Sequence, residues 1–355
     1  MQPALRLVPA LLRHCSGAAA GAAAAPWRQQ QRQQCEAAAQ PQPPSAQEVR
    51  AAFEHCAQLV RQHDPENFVW VVQLPQAVRL RVLALRAFNL ESLLIAEQVK
   101  SREPLVLQIR YQWWRDAVGG LGAAAAPPGH PVLTALWHAQ HGGAGGAAGG
   151  AAGGGGGGSS GFKLNRYQLR RILDAREQDA VAFQAPLTLA ELEAYAEATA
   201  SQLQYLQLAA AGVASHDADH AASHLGKAVG LALLLRGAAF QAGRRRCYLP
   251  LELLAAHGVS QEQVYRGGPA PEGLRDVALA VGGAALGHLR EARRLGAGLP
   301  RAAAGVMAGG VLAGQFLAAL ERVGFDLFEP RLAGGGASPL RRALAIKWAA
   351  LRGTF

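Results

Sequence analysis

Apolar side chains recur at helical spacing along most of this 355-residue chain. Two series illustrate the spacing: Phe53, Cys56, Leu59 and Val60, then Leu80, Leu83, Ala87, Leu90 and Leu94. No stretch shows the sustained apolar–polar alternation, bounded by turns, that is typical of a half-buried strand. The periodicity therefore predicts an all-α fold with about nine to eleven helices.

Five of the predicted helices have boundaries that follow from the periodicity and its flanking residues. They are Asn165–Asp179, Thr188–Ala211, His220–Arg236, Gly273–Leu295 and Ala302–Arg322. Within the last of them, residues 302–320 carry no charge, and nineteen residues are long enough to span a bilayer. Because Ala and Gly dominate this stretch and Gln315 lies within it, the sequence favours a buried helix over a membrane span.

The chain begins with a basic segment that lacks acidic residues. Residues 1–35 hold four arginines among Leu and Ala but no Asp or Glu, which is typical of an organelle transit peptide. An unstructured basic tail is the alternative interpretation. Residues 36–48, rich in Ala, Gln and Pro, are predicted to form a linker, and the helical pattern starts at Val49.

A glycine run interrupts the helical pattern at residues 142–161, where thirteen of twenty residues are Gly. Such a segment cannot bury a core, so we predict a disordered insertion between two helices of one domain. The Lys-Ser or Lys-Thr pair that follows a phosphate-binding glycine loop is absent here, and nucleotide binding is not expected.

The net charge of +10 raises the question of nucleic-acid binding. Four of these charges lie in residues 1–35, and the longest basic run in the remaining chain is Arg244–Arg246. Because the chain has neither zinc-finger spacing nor basic motifs interleaved with aromatics, the sequence does not favour a nucleic-acid partner.

A disulfide scaffold is excluded because the cysteines are few and far apart: Cys15, Cys35, Cys56 and Cys247.

Three histidines, His216, His220 and His224, follow each other at intervals of four residues. A histidine pair at this spacing on a helix can bind Zn²⁺. However, the glutamate of the zinc-protease motif is missing, and the outer two histidines are about 12 Å apart. The sequence favours a polar helix start instead, with Asp217 or Asp219 as the N-cap of a helix beginning near His220.

Tyr111, Trp113 and Trp114 form an aromatic cluster in the sequence. Core packing is the expected role of such a cluster, and a lipid-facing patch is the alternative.

Several segments together resemble the squalene/phytoene synthase family. The clearest runs from Arg244 to Val264 and contains Tyr248-Leu249-Pro250, Glu252 and Gly258-Val259-Ser260. Further matches are His130-Pro131-Val132, LRAFNLES around Arg86, GKAVGLALLLRGAAFQ from Gly226, and GFDLF at Gly324. The resemblance covers residues 49–330, apart from the glycine run, and leaves residues 331–355 as a C-terminal extension. It implies an isoprenoid-synthase-like helical bundle around a central cavity.

The family's chemistry joins two prenyl diphosphates, and it begins by ionising an allylic diphosphate whose charge Mg²⁺ must neutralise. Active members supply the metal ligands as two Asp-x-x-x-Asp motifs on facing helices, and this spacing puts both carboxylates on one helix face. The positions that match the first motif are Asn89 and Leu93, and those that match the second are Gly237 and Gln241. Glu91 is near the first motif but about 200° around the helix from Asn89. The resemblance therefore implies a pseudoenzyme that lacks Mg²⁺-dependent catalysis and uses no cofactor.

The segments around Arg86, Trp113 and His216 resemble most closely one subgroup of the family, whose members assist early assembly of mitochondrial respiratory complex I. This implies nascent complex I subunits or other assembly factors as partners, and a peripheral location on the matrix side of the inner membrane. The transit-like residues 1–35 favour the mitochondrion independently. Two alternatives stay open: an active prenyl transferase of isoprenoid biosynthesis with relocated metal ligands, and an isoprenoid- or lipid-binding module.

A basic group with an adjacent tyrosine is the candidate binding site: Arg236, Arg244, Arg245, Arg246 and Tyr248. In active relatives the residues that match Arg236 and Tyr248 lie at the diphosphate end of the cavity, and Arg suits bidentate contact with phosphate. We therefore predict a retained anion- or lipid-binding site without a metal, in net positive surroundings. The alternative is an exposed loop that contributes solubility.

Overall fold

The computed structural model describes residues 43–99, 103–122, 129–142, 162–332 and 334–355. These residues form sixteen α-helices, in agreement with the helical periodicity of the sequence. These ranges contain no strand, so the all-α prediction is confirmed for them. Residues 43–355 form one compact unit. The predicted transit peptide, the first part of the predicted linker and the glycine run from residue 143 onward lie outside the described residues.

The first half of the unit contains eight α-helices and one turn of π-helix. They are α1 (Ala46–His63), α2 (Pro65–Val71), α3 (Gln76–Gln98), α4 (Pro104–Gly120), α5 (Pro131–His141), α6 (Arg166–Val181), α7 (Leu189–Ala196), the π turn (Glu197–Ser201) and α8 (Gln202–Ala210). The second half contains α9 (His216–Arg236), α10 (Ala238–Gly243), α11 (Leu251–Ala256), α12 (Gln261–Arg266), α13 (Glu272–Gly296), α14 (Arg301–Val306), α15 (Gly309–Arg322), a 3₁₀ turn (Pro330–Leu332) and α16 (Pro339–Arg352).

Polar N-caps fix where several helices begin. Ser45 forms a capping box with Glu48, so α1 begins at Ala46, inside the predicted linker. The side chains of Asn165 and Thr188 accept backbone N–H groups at the starts of α6 and α7, where the sequence predicts helix starts.

Helix α9 begins one turn earlier than the sequence predicts. Its N-cap is Ser215, whose hydroxyl accepts the backbone N–H of Ala218 at 3.1 Å. Asp217 and Asp219 lie inside the first turn, so the prediction that one of them is the N-cap is wrong. The physical reason is that Ser215 has the extended backbone and the short acceptor that an N-cap needs, while the two carboxylates stabilise the positive end of the helix dipole.

The uncharged stretch of residues 302–320 is mostly buried, as predicted, but it forms two helices rather than one. Helix α14 ends at Val306, and α15 begins at Gly309. Breaks of this kind explain why the described residues contain more helices than the periodicity predicts. No helix in the described ranges is both long enough and apolar enough to cross a bilayer.

The segment predicted as a C-terminal extension is packed as part of the helical unit. Ser338 caps α16, and Gly353 ends it in the left-handed conformation at φ 65°. Beyond this turn Phe355 is buried, and its carbonyl accepts the Nε–H of Arg293 at 2.6 Å.

Two glycines let α9 pack closely against α7 and the π turn. A Cβ on Gly226 would lie 2.2 Å from Ser201 Cα, and one on Gly230 would lie 2.6 Å from the Cβ of Ala196. The helix backbones therefore approach more closely than a side chain at these positions would allow. This packing fixes the position of α9, whose last residue, Arg236, lines the central cavity.

The close approach predicts the effect of adding one methyl group. Because the new Cβ would meet backbone atoms of the π turn, Gly226→Ala should lower the free energy of unfolding by about 2 kcal/mol. Gly287 on α13 is the matched control, since a Cβ added there would have no heavy atom within 4 Å. Gly287→Ala should raise the stability by up to about 1 kcal/mol. Urea unfolding followed by circular dichroism measures both changes, and equal stability of the two variants would contradict the packing described.

Candidate functional site

A cavity of about 220 Å³ is lined mainly by residues of α2, α3, α6, α8, α9, α15 and α16. Its apolar lining includes Leu90, Leu93, Leu203, Leu233 and Phe316. The charged side chains in its lining are those of Arg86, Arg176, Arg236, Arg342, Asp64 and Glu66. The cavity thus combines apolar walls with an array of guanidinium and carboxylate groups.

Asp64 and Arg86 form an ion pair at the cavity wall. The Nη2 and Nε atoms of Arg86 donate to Asp64 Oδ2 at 2.5 and 3.2 Å, and the side chains are only 8% and 19% exposed. Arg86 Nη1 also donates to Gln207 at 3.1 Å, and the guanidinium lies 5.5 Å from the ring centroid of Trp70. The Arg86 charge is therefore engaged by acceptors and an aromatic ring of the protein itself.

Glu66 connects two further arginines of the cavity. Its carboxylate accepts bidentate hydrogen bonds from Arg236 Nη1 and Nη2, at 2.6 and 2.9 Å. Arg342 on α16 lies 3.0 Å from an oxygen of the same carboxylate and also donates to the carbonyl of Ala337 at 3.1 Å. One carboxylate on α2 therefore ties the end of α9 to the start of α16.

The charged lining of the cavity is net positive, with four arginines against two carboxylates. Only Arg236 of the predicted basic group belongs to this lining, so the net positive surroundings predicted for that group stay a prediction. Arg176 is the arginine least engaged with acceptors: its Nη1 donates to the hydroxyl of Tyr195 at 2.8 Å. Its Nε is buried and has no hydrogen-bond partner among the described residues.

The positions that match the family's first metal motif reach the cavity, whereas those that match the second do not line it. Asn89 and Leu93 are both part of the cavity lining. Glu91 points away from it, with an oxygen 4.0 Å from His55, and burial raises the pKa of its carboxyl. Gly237 is the C-cap of α9, and Gln241 lies on α10, where its carbonyl accepts the backbone N–H groups of Arg244 and Arg246 at 2.9 Å each.

The residues around the cavity do not suit a Mg²⁺–diphosphate cluster. Mg²⁺ needs oxygen ligands that are free to coordinate it. The two carboxylates in the lining, Asp64 and Glu66, are each held by arginine, and Asn89 and Leu93 supply no carboxylate. Among the described residues, no group of three or more His, Cys, Asp or Glu side chains is arranged to hold a metal ion.

The predicted basic group is divided between several places. Arg236 lines the cavity, while Arg245 and Tyr248 line a separate surface cleft. Arg244 pairs with Glu97 at 3.1 Å and stacks on Phe240, and Arg245 pairs with Glu262 at 3.0 Å. Each of these exposed arginines thus has an acidic partner that the sequence did not reveal.

Arg246 and Tyr248 converge on Asp179 at the end of α6. The Tyr248 hydroxyl lies 2.8 and 2.9 Å from the two carboxylate oxygens, and Arg246 donates to the Asp179 carbonyl at 3.1 Å. Burial raises the pKa of Asp179, although the tyrosine hydrogen bond and Arg246 oppose this. Burial likewise raises the pKa of Tyr248. The arrangement keeps Tyr248 protonated as a hydrogen-bond donor to Asp179.

The three spaced histidines of α9 do not converge. The rings of His216 and His220 lie 4.2 Å apart at the exposed start of the helix. His224 turns instead to His288 on α13, with 2.9 Å between their Nδ1 atoms. Burial lowers the pKa of His224, and the neighbouring His288 adds to this effect.

The aromatic cluster of α4 is divided between core and surface. Tyr111 and Trp114 are buried, which confirms the predicted core role for these two rings. Trp113 is 41% exposed and packs edge-on against Trp114, with their centroids 5.3 Å apart.

The two carboxylates that organise the cavity were not predicted from the sequence. Asp64 and Glu66 flank Pro65 at the junction of α1 and α2, in the segment His63-Asp64-Pro65-Glu66. An acidic residue on each side of a proline at a helix start is a local signal that could have been noticed. Their partners could not have been found in this way, because Arg236 is 170 residues from Glu66 in the chain.

Comparisons with known proteins agree on the family and the fold. Residues 60–142 and 159–342 match the sequence profile of the family described as squalene/phytoene synthase. The chain is 34% identical over 278 residues to NADH dehydrogenase (ubiquinone) complex I, assembly factor 6, of Rattus norvegicus, covering 78% of this chain and 76% of that protein. It is 34% identical over 281 residues to the Drosophila melanogaster homolog of that factor, covering 77% of each. A crystal structure of a dehydrosqualene synthase superposes with a TM-score of 0.70 at 17% identity, covering 86% of this chain and 98% of that one. This likeness confirms the isoprenoid-synthase-like bundle.

The buried ion pair at the cavity wall predicts a non-additive pair of substitutions. Asp64→Asn or Arg86→Met should each lower the free energy of unfolding by about 3 kcal/mol, because each leaves its partner without a counter-charge. The double variant should cost clearly less than the sum of the two, since it leaves no uncompensated charge.

The control for this cycle is the exposed pair of Glu291 and Arg294 on α13. Urea unfolding of Glu291→Gln, Arg294→Met and the double variant should show changes in the free energy of unfolding that are near zero and additive. Additive losses at Asp64 and Arg86 would show that the two side chains are not coupled.

Proposed function

The chain belongs to the squalene/phytoene synthase family, and we propose that within this family it is a non-catalytic factor that assists early assembly of mitochondrial respiratory complex I. One observation carries the proposal: the chain is 34% identical, over 78% of its length, to a protein named as a complex I assembly factor. The comparable identity to the Drosophila homolog supports the same role.

The chemistry of the cavity supports a non-catalytic role. An active synthase must neutralise a departing diphosphate with metal ions held by free carboxylates. Here Asp64 and Glu66 bind arginines, and the positions that match the first metal motif are Asn89 and Leu93. The cavity therefore keeps an overall positive lining but lacks the ligands for that step.

The place of action follows from the same proposal. The protein works at the matrix side of the inner membrane as a peripheral protein, and residues 1–35 direct its import. Its partners are nascent complex I subunits or other assembly factors. The arginine-rich, acid-free composition of residues 1–35 supports the import step.

Binding of an amphiphile in the cavity is a second candidate function. It is favoured by one observation: apolar walls such as Leu203 and Phe316 lie beside four arginines that outnumber the carboxylates two to one. The buried Nε–H of Arg176 has no partner within the part of the chain that the structure describes, and it can donate to an anionic group. The ligand would be an isoprenoid or lipid with a phosphate-type head, held without reaction.

The assembly role predicts a defect in one respiratory complex. Disruption of the gene should reduce assembled complex I on native gels while the other respiratory complexes persist, and the full chain should restore it. Asn89→Ala should restore it equally well, because that residue has no catalytic task in a non-enzyme. Normal complex I in the disrupted strain would contradict the proposal, and failure of Asn89→Ala alone would favour the active transferase.

The cavity role predicts a co-purifying amphiphile. Solvent extraction of the purified full chain and mass spectrometry should recover a phosphate-bearing lipid or isoprenoid at near-stoichiometric amounts. Arg176→Gln should reduce the recovered amount severalfold, because it removes the guanidinium that would contact the anionic head. The exposed Arg294→Gln variant is the control and should bind as the parent does. A protein that yields no such molecule would contradict this second role.

A further inference from the structure

Helix α16 is apolar on two opposite faces. Its inner face is built into the fold through Ile346 and Ala349, which are buried. Its outer face carries four large apolar side chains that are 58–74% exposed: Leu340, Leu344, Trp348 and Leu351. A contiguous exposed apolar face of this kind marks a surface that binds a partner or a membrane.

The four exposed side chains form one continuous stripe. Leu340, Leu344 and Trp348 are spaced by four residues and Leu351 follows three later, so they fall within about 80° around the helix and extend over about 16 Å of its axis. The stripe, defined by these four residues, is long enough to lie along a surface.

Basic residues border the stripe on both sides. At 100° per residue, Arg341 and Arg352 lie about 60–80° from Leu344 on one side, and Lys347 lies about 60° away on the other. All three are exposed, and the guanidinium of Arg352 lies 4.5 Å from the ring centroid of Trp348. Residues 331–355 contain no Asp or Glu at all.

The helix is fastened so that the stripe stays outward. Ser338 caps its start and Gly353 its end, while Phe355 is buried beyond the end and is held by Arg293 at 2.6 Å. On the inner side, Arg342 lies 3.0 Å from Glu66 at the central cavity. The stripe therefore cannot be buried by rotation of α16 within this fold.

We propose that the stripe and its basic border dock α16 parallel to the surface of an anionic phospholipid bilayer. The charge pattern selects this occupant: an apolar stripe with a tryptophan, between cations and without any acid, matches apolar insertion below a layer of negative headgroups. Helix α4 also has exposed apolar residues, Leu105, Val106, Ile109 and Trp113. They do not match the pattern, because the exposed Asp116 falls between Leu105 and Ile109 around the helix and places an acid within the apolar arc. The biological setting rests on the proposed inner-membrane location, whereas the binding itself is a property of α16.

Flotation with lipid vesicles tests the docking directly. Full-length protein is mixed with vesicles of phosphatidylcholine alone or with about one-fifth cardiolipin, which supplies the anionic surface. In every sample the four arginines of residues 1–35 are replaced by Gln, so that this segment does not contribute. The parent should float with cardiolipin vesicles and remain largely unbound with phosphatidylcholine.

Two sets of variants separate the apolar and the charged contributions. The double variant Leu344→Ser with Trp348→Ser should lower the partitioning of the protein onto cardiolipin vesicles at least tenfold. Arg341→Gln with Lys347→Gln and Arg352→Gln should lower it severalfold and abolish its salt dependence. Leu105→Ser with Ile109→Ser on α4 is the matched control and should bind as the parent does. Since all these side chains are exposed, thermal unfolding should be unchanged, and that measurement identifies any variant that misfolds.

Several results would overturn the docking surface. They are a parent that does not float with cardiolipin vesicles, equal flotation with both vesicle types, or α16 variants that bind like the α4 control. Failure to bind lipid would leave the stripe as a surface for a protein. The outcome is independent of the assembly role, because purified protein and vesicles contain no complex I. A defect in complex I assembly without lipid binding would refute only the docking surface.

Discussion

The carboxylates of Asp64 and Glu66 are the groups on which the central cavity depends. Between them they bind Arg86, Arg236 and Arg342, which come from α3, α9 and α16. A cavity with four arginines and no internal counter-charge would destabilise the fold through repulsion between like charges. The two acids at the junction of α1 and α2 reduce that repulsion without a metal, and in doing so they connect three distant helices.

The same contacts connect the cavity to the surface. Arg342 reaches inward to Glu66, while the neighbouring turns of α16 present Leu344 and Trp348 outward. The helix is therefore a wall of the cavity on one side and a candidate membrane surface on the other.

Much of the fold could be predicted from the sequence, because helical periodicity is a local property. Spacing and polar caps placed the starts of α6 and α7 closely. They failed at α9, where Ser215 caps the helix one turn before the predicted start. The breaks that divide long apolar stretches, such as the one before Gly309, depend on tertiary packing and leave no periodic signal.

The candidate site was only partly predictable. The resemblance directed attention to Asn89, Leu93 and Arg236, and all three line the cavity. The acidic partners remained hidden, because an ion pair such as that between Glu66 and Arg236 joins residues far apart in the chain. For the same reason, the run Arg244–Arg246 looked like one basic group, although its side chains pair with Glu97, Glu262 and Asp179 in different directions.

The chain keeps the family's fold, and we propose that it lacks the family's metal-dependent chemistry. The most direct measurement is release of pyrophosphate from farnesyl or geranylgeranyl diphosphate by the purified protein with excess Mg²⁺, with an active synthase measured in parallel. We expect no release above the protein-free background and no condensed prenyl product. Sustained, enzyme-dependent release of pyrophosphate would contradict this proposal.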